Sequence, residues 1–181
     1  MQIEDAQREM RQAYLGGSIG QLVSAGIWLG SAALATWGSR TVGMIALIVG
    51  GMFIFPLTRL VLAMLKSPAA MNRDNPFNAL AMQVAFTIPV AIPLVLAASH
   101  AQAAWFYPGF MIVVGAHYMA FMTLYGLRQF VVLAAALIAG GWLLPILAPQ
   151  AFALGGWIGG VVLLAFGMWL LAMHLGERPS P

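Results

Sequence analysis

Val42-Gly-Met-Ile-Ala-Leu-Ile-Val-Gly-Gly-Met-Phe-Ile-Phe-Pro-Leu-Thr-Arg-Leu-Val-Leu-Ala-Met-Leu65 is a long apolar run holding a single charge, Arg59. As a helix rising 1.5 Å per residue it is about 36 Å long, enough to cross a hydrocarbon core of about 30 Å. The same length and character recur five more times, giving segments at roughly 19–37, 42–65, 79–98, 104–125, 130–148 and 152–174. Short polar or turn-forming joints separate them: Gly38 to Arg40, Lys66 to Pro76, Ser99 to Gln102, Gly126 to Gln129 and Ala148 to Gln150. The expected fold is an all-α integral membrane protein, a six-transmembrane-helix bundle forming one domain over residues 1–181, with no stretch left for a soluble domain.

Composition agrees. Of 181 residues, 62% are hydrophobic and 7% charged, and mean hydropathy is +0.90. A soluble domain carries about 25% charged residues and, at this size, still exposes much of its surface to water. The outer surface here is therefore expected to face lipid. There is no cysteine, which excludes disulfides, thiolate metal sites and a cysteine nucleophile. The net charge of +3 comes from scattered basic residues with no patch for nucleic acid.

Residues 2–14 form a polar segment bearing Ile3, Ala6, Met10 and Tyr14 at three-to-four spacing, which predicts a short amphipathic helix at the membrane interface. A cleavable signal peptide is not expected, since the segment lacks a short apolar core followed by small residues. Six spans place both termini on one side. Arg8, Arg11, Arg59, Lys66, Arg73, Arg128 and Arg178 fall on or near that side, against Arg40 on the other. The excess of basic residues marks the cytoplasmic face, so both termini are expected inside. Trp37, Trp105, Tyr107 and Trp157 then fall at outer span ends, and Tyr14, Tyr125 and Trp169 near inner ones.

Small residues mark packing faces: Gly16, Gly20 and Ser24, then Gly26 and Gly30, in the first span, and the pairs Gly155/Gly159 and Gly156/Gly160 in the sixth. Such faces let helices approach closely, within one subunit or between copies in a homo-oligomer. Pro56, Pro89, Pro93, Pro108 and Pro145 predict kinked spans. Asn75 is placed to cap the third span, with Pro76 in its first turn. Gly50-Gly-Met-Phe-Ile-Phe-Pro56 and Gly140-Gly-Trp-Leu-Leu-Pro145 echo one another faintly, as an inverted three-plus-three repeat would, with the spacing slipped by one residue.

Polar groups at membrane depth are costly and call for a reason. Arg59, His117, Tyr118, Tyr125 and Arg128 lie in or beside the second and fourth spans towards the inner side. Arg59 also suits snorkelling to lipid phosphates, and His117 suits a hydrogen bond to a neighbouring helix. All five acidic residues, Glu4, Asp5, Glu9, Asp74 and Glu177, lie outside the spans. That removes the usual carboxylate for proton- or cation-coupled transport and the third member of a catalytic triad. His100, His117 and His174 sit at different depths, so neither a metal centre nor a haem cofactor is expected.

Phe53-Ile-Phe-Pro-Leu57, Asn75-Pro-Phe77 and Gly115-Ala-His-Tyr118 with Tyr125 resemble a family of small, uncharacterised bacterial multi-span membrane proteins, over about residues 45–140. The resemblance implies a bacterial inner-membrane protein and brings no established activity. The leading expectation is a protein that binds or translocates a small molecule or ion at a cytoplasmic-side site formed by the five polar residues. The rival is a non-transporting structural or regulatory membrane partner working through its small-residue faces and N-terminal helix. A lipid-modifying enzyme is weaker, lacking intramembrane carboxylates and cysteines.

Overall fold

Helix ends fall where apolar runs give way to glycine, proline and polar residues. The computed structural model describes residues 2–67 and 72–176, so Glu177 and Arg178 of the charge tally lie outside the described residues. Among the described residues seven α-helices follow in order: α1 Ile3–Tyr14, α2 Ser18–Trp37, α3 Arg40–Met64, α4 Phe77–Ala101, α5 Phe106–Tyr125, α6 Gln129–Leu147 and α7 Leu154–Gly176. No strand occurs among the described residues. Six helical segments are long and apolar enough to cross a membrane, the first being the run from Ile3 to Trp37 that contains both α1 and α2. The protein is a helical bundle of multi-pass membrane character.

A left-handed turn divides α1 from α2. Leu15, Gly16 and Gly17 take φ values of 49°, 66° and 83°, a conformation that costs a residue with a Cβ about 1–2 kcal/mol. Gly17 has a second constraint, because a Cβ there would lie 3.1 Å from Phe130 Cζ. The Ser18 hydroxyl donates to the Leu15 carbonyl at 2.7 Å and secures the turn. Gly16 thus belongs to the turn and is not part of a small-residue helix face with Gly20.

The helices do not share burial equally. α2 packs closely on α7 and α3, α5 on α6 and α4, while α7 also touches α5 and α6. Glycine sets the closest approaches. A Cβ at Gly156 would lie 2.7 Å from Tyr107 Cε1, one at Gly159 2.6 Å from Trp28 Cζ3, and one at Gly160 2.7 Å from Leu29 Cδ2. Gly155 meets Tyr107 and Pro108 in the same way. α7 is therefore pressed against α2 and α5, with Phe106, Tyr107, Met111, Leu133, Leu137 and Leu163 filling the core. α3 and α4 flank this centre and leave large apolar side chains uncovered, including Met52, Phe55, Val90 and Leu94. Faces of this size and composition do not suit water.

Pro56 lies within α3, Pro89 and Pro93 within α4, and Pro145 within α6. Pro108 occupies the first turn of α5, where a missing N–H costs no helical hydrogen bond.

Each end of the bundle has its own chemistry. At one end α1 buries Ala6, Met10 and Ala13 and hydrogen-bonds to other elements. Gln7 Nε2 donates to the Thr123 carbonyl at 2.7 Å, and Arg11 donates to the Tyr125 carbonyl. Asn75 Nδ2 donates to Glu9 Oε2 at 2.7 Å, while the Asn72 N–H donates to Glu9 Oε1. Asn75 Oδ1 accepts from the Phe77 N–H at 2.9 Å, and α4 starts at Phe77, just after Pro76. The opposite end carries edge-to-face pairs Trp37–Trp157 at 5.7 Å and Trp105–Trp142 at 6.2 Å between ring centroids. There too the Arg40 guanidinium stands 5.5 Å over the Phe152 ring.

Candidate ligand groove between α4 and α5

His117 sits on α5 facing α4, and two α4 groups hold its ring. Nδ1 lies 2.9 Å from the Val84 carbonyl oxygen and 3.2 Å from Thr87 Oγ1. A carbonyl oxygen can only accept, so Nδ1 carries the proton and donates to it. The Thr87 hydroxyl donates to the same carbonyl at 2.7 Å, leaving an Oγ1 lone pair towards the imidazole N–H. Phe121 and Tyr118 fix the ring from the α5 side, at centroid distances of 4.9 and 5.6 Å. With Nδ1 protonated, Nε2 of the neutral ring is a hydrogen-bond acceptor.

The surrounding space is apolar. Val84 and Thr87 on α4, with Ile112, Val113, Ala116 and Ala120 on α5, line a groove of about 300 Å³ that includes His117. Its width follows from the sequence: Ala116 and Ala120 stand one turn apart, on either side of His117, and present only methyl groups. A volume of this order is at the small end of the range for ligand pockets. It would take an apolar body, and His117 is its ionisable group.

The other sequence-predicted residues divide. Tyr118 and Tyr125 are buried behind His117 in a run of stacked, tilted and edge-to-face rings with Phe121 and Phe130. Arg128 is exposed just before α6 begins, and Arg59 is exposed on α3. Neither lines the groove, and neither side chain hydrogen-bonds or pairs with a carboxylate among the described residues. α3 packs on α2, whereas the groove lies between α4 and α5. The structure therefore joins His117 to Tyr118 and Tyr125 through aromatic contacts and places the two arginines outside the groove.

Thr87 carries no charge and so escapes a reading of the sequence based on ionisable groups. A hydroxyl inside a long apolar run is the signal that marks it.

A family model described as a family of unknown function, DUF7010, matches residues 3–173. The chain belongs to that family. The DUF7010 match runs from α1 into α7 and so takes in the groove, the glycine-packed centre and the α1 contacts. No curated protein and no solved structure matches the chain.

Proposed function

We propose that this protein lies in the inner membrane of a bacterium with both termini in the cytoplasm, and binds a lipid-soluble small molecule in the α4–α5 groove. The observation that carries this reading is the His117 geometry. Its Nδ1 proton is engaged by α4, so a ligand meeting Nε2 of the neutral ring must offer an O–H or N–H. The ligand class is thus an apolar body with one hydrogen-bond donor. Its apolar part is held by Val84, Ile112, Val113, Ala116 and Ala120. The orientation rests on Arg8, Arg11, Arg128, Lys66 and Arg73 accompanying the α1 end, with Arg40 at the other.

Native mass spectrometry of the protein released from mild detergent tests it. The wild type should retain a bound molecule of this class. His117→Ala, which removes one hydrogen bond of about 0.5–1.5 kcal/mol, should weaken retention about two- to tenfold. Ala116→Phe should abolish it by filling the groove, while Arg59→Ala should leave it unchanged. An empty wild type, or an adduct indifferent to both groove variants, sinks the proposal.

A further inference from the structure

We infer that the protein pairs with a second copy of itself through α4, with Gln83 of each chain hydrogen-bonded to Gln83 of the other across a twofold axis. Gln83 interrupts the apolar run of α4, is exposed, and forms no hydrogen bond among the described residues. On a soluble protein such an amide would bond to water. On a bundle of this character it faces lipid, where an amide without a partner is costly.

Its depth follows along two helices. Asn75 bonds to Glu9 of α1, and Gln83 lies eight residues further on, about 12 Å along the axis. The Tyr125 carbonyl bonds to Arg11 of α1, and His117 lies eight residues back along α5, again about 12 Å. The bond from His117 to the Val84 carbonyl brings the two helices level at this depth. The Gln83 amide atoms stand four bonds from Cα, too short a reach to return to the polar α1 end.

Symmetry selects a second copy as the partner. Two copies inserted the same way up run α4 in the same direction, so a twofold axis along the membrane normal sets each facing residue opposite itself at one depth. An amide carries both donors and an acceptor, so two Gln83 side chains satisfy one another, and amides bond across membrane helices in this way. The face around Gln83 has the matching pattern. Ala79, Gln83, Phe86, Val90, Pro93 and Ala97 are all exposed and follow at alternating steps of four and three, the 3.5-residue repeat that keeps one seam between two parallel helices. Phe86 is 60% and Val90 76% exposed, and α4 is the least buried of the six spans among the described residues. Val84 and Thr87 turn towards His117 and lie off the seam, so this inference is independent of the groove.

Single-cysteine cross-linking of the full-length protein in membranes tests it, since the chain has no cysteine of its own. Under mild oxidation Phe86→Cys and Val90→Cys should give covalent dimers. Ala85→Cys, exposed on another side of α4, and Gly30→Cys, on the exposed glycine pair of α2, should remain monomeric. Energy transfer between donor- and acceptor-labelled copies diluted in liposomes then reads the amide pair. Gln83→Leu, a change on the lipid-facing surface, should raise the dimer dissociation constant about three- to thirtyfold. No cross-link at Phe86 or Val90, an equal yield at Ala85, or a dimer formed through Gly30 would overturn the inference. So would a dissociation constant that Gln83→Leu leaves unchanged.

Discussion

Tyr107 and His117 stand on the same helix, and each meets the demand for a polar partner through a different neighbour. Tyr107 OH lies 2.7 Å from Ser31 Oγ, and Ser31 Oγ donates to the Gly43 carbonyl at 2.8 Å. Since the serine proton is committed to Gly43, the tyrosine is the donor, and the chain of bonds ties α5 to α2 and α2 to α3. Tyr107→Phe should lower stability by about 0.5–1.5 kcal/mol, measured by reversible unfolding in mixed micelles. Ser31→Ala should couple to it in a double-mutant cycle, because each change breaks the shared bond. Additive losses would show that the bond contributes nothing. Sequence alone put Tyr107 with the aromatic residues at an outer span end, yet it is wholly buried. Its depth along the span was legible; its direction was not, because that depends on Ser31, 76 positions away in the chain. His117 was legible as a polar intrusion for the same reason of depth, whereas its partners on α4 follow from the packing of two helices.

α7 illustrates what a helix face discloses. The doubled glycine pairs Gly155/Gly159 and Gly156/Gly160 could be read from spacing as surfaces for close approach, though not the helices they approach. The answer is both α2 and α5, since Gly159 faces Trp28 while Gly155 and Gly156 face Tyr107. Gly26 and Gly30 on α2 show the identical spacing and have nothing within 4 Å of where a Cβ would stand. Spacing alone cannot tell these cases apart. Gly159→Leu should therefore cost about 1–3 kcal/mol through overpacking, read as a drop in thermal unfolding midpoint in detergent. Gly30→Ala should be neutral or stabilise by up to about 1 kcal/mol, as alanine replaces glycine within a helix. Equal damage from both would mean that the Gly30 face is as crowded as that of Gly159.

Across the molecule, apolar length was the most legible property, because a hydrocarbon core admits few helix lengths. The neighbour relations were hidden: α2, α5 and α7 form the centre, while α3 and α4, the longest helices among the described residues at 25 residues each, lie at the flanks. Hydropathy cannot distinguish centre from flank when both are apolar, and glycine contacts and buried hydroxyls make the difference. The α1 contacts also impose an order on synthesis. Gln7 and Arg11 bond to carbonyls 116 and 114 residues later, so α1 leaves the ribosome long before its partners exist. Nascent chains arrested before α5 should keep α1 open to protease, and chains extended through α6 should protect it. Protection in the shorter chains would mean that α1 docks elsewhere first. Glu9 can meet Asn72 and Asn75 before the fourth helix is made, but the bonds from Gln7 and Arg11 complete the seating of α1 and report that the fifth helix has arrived.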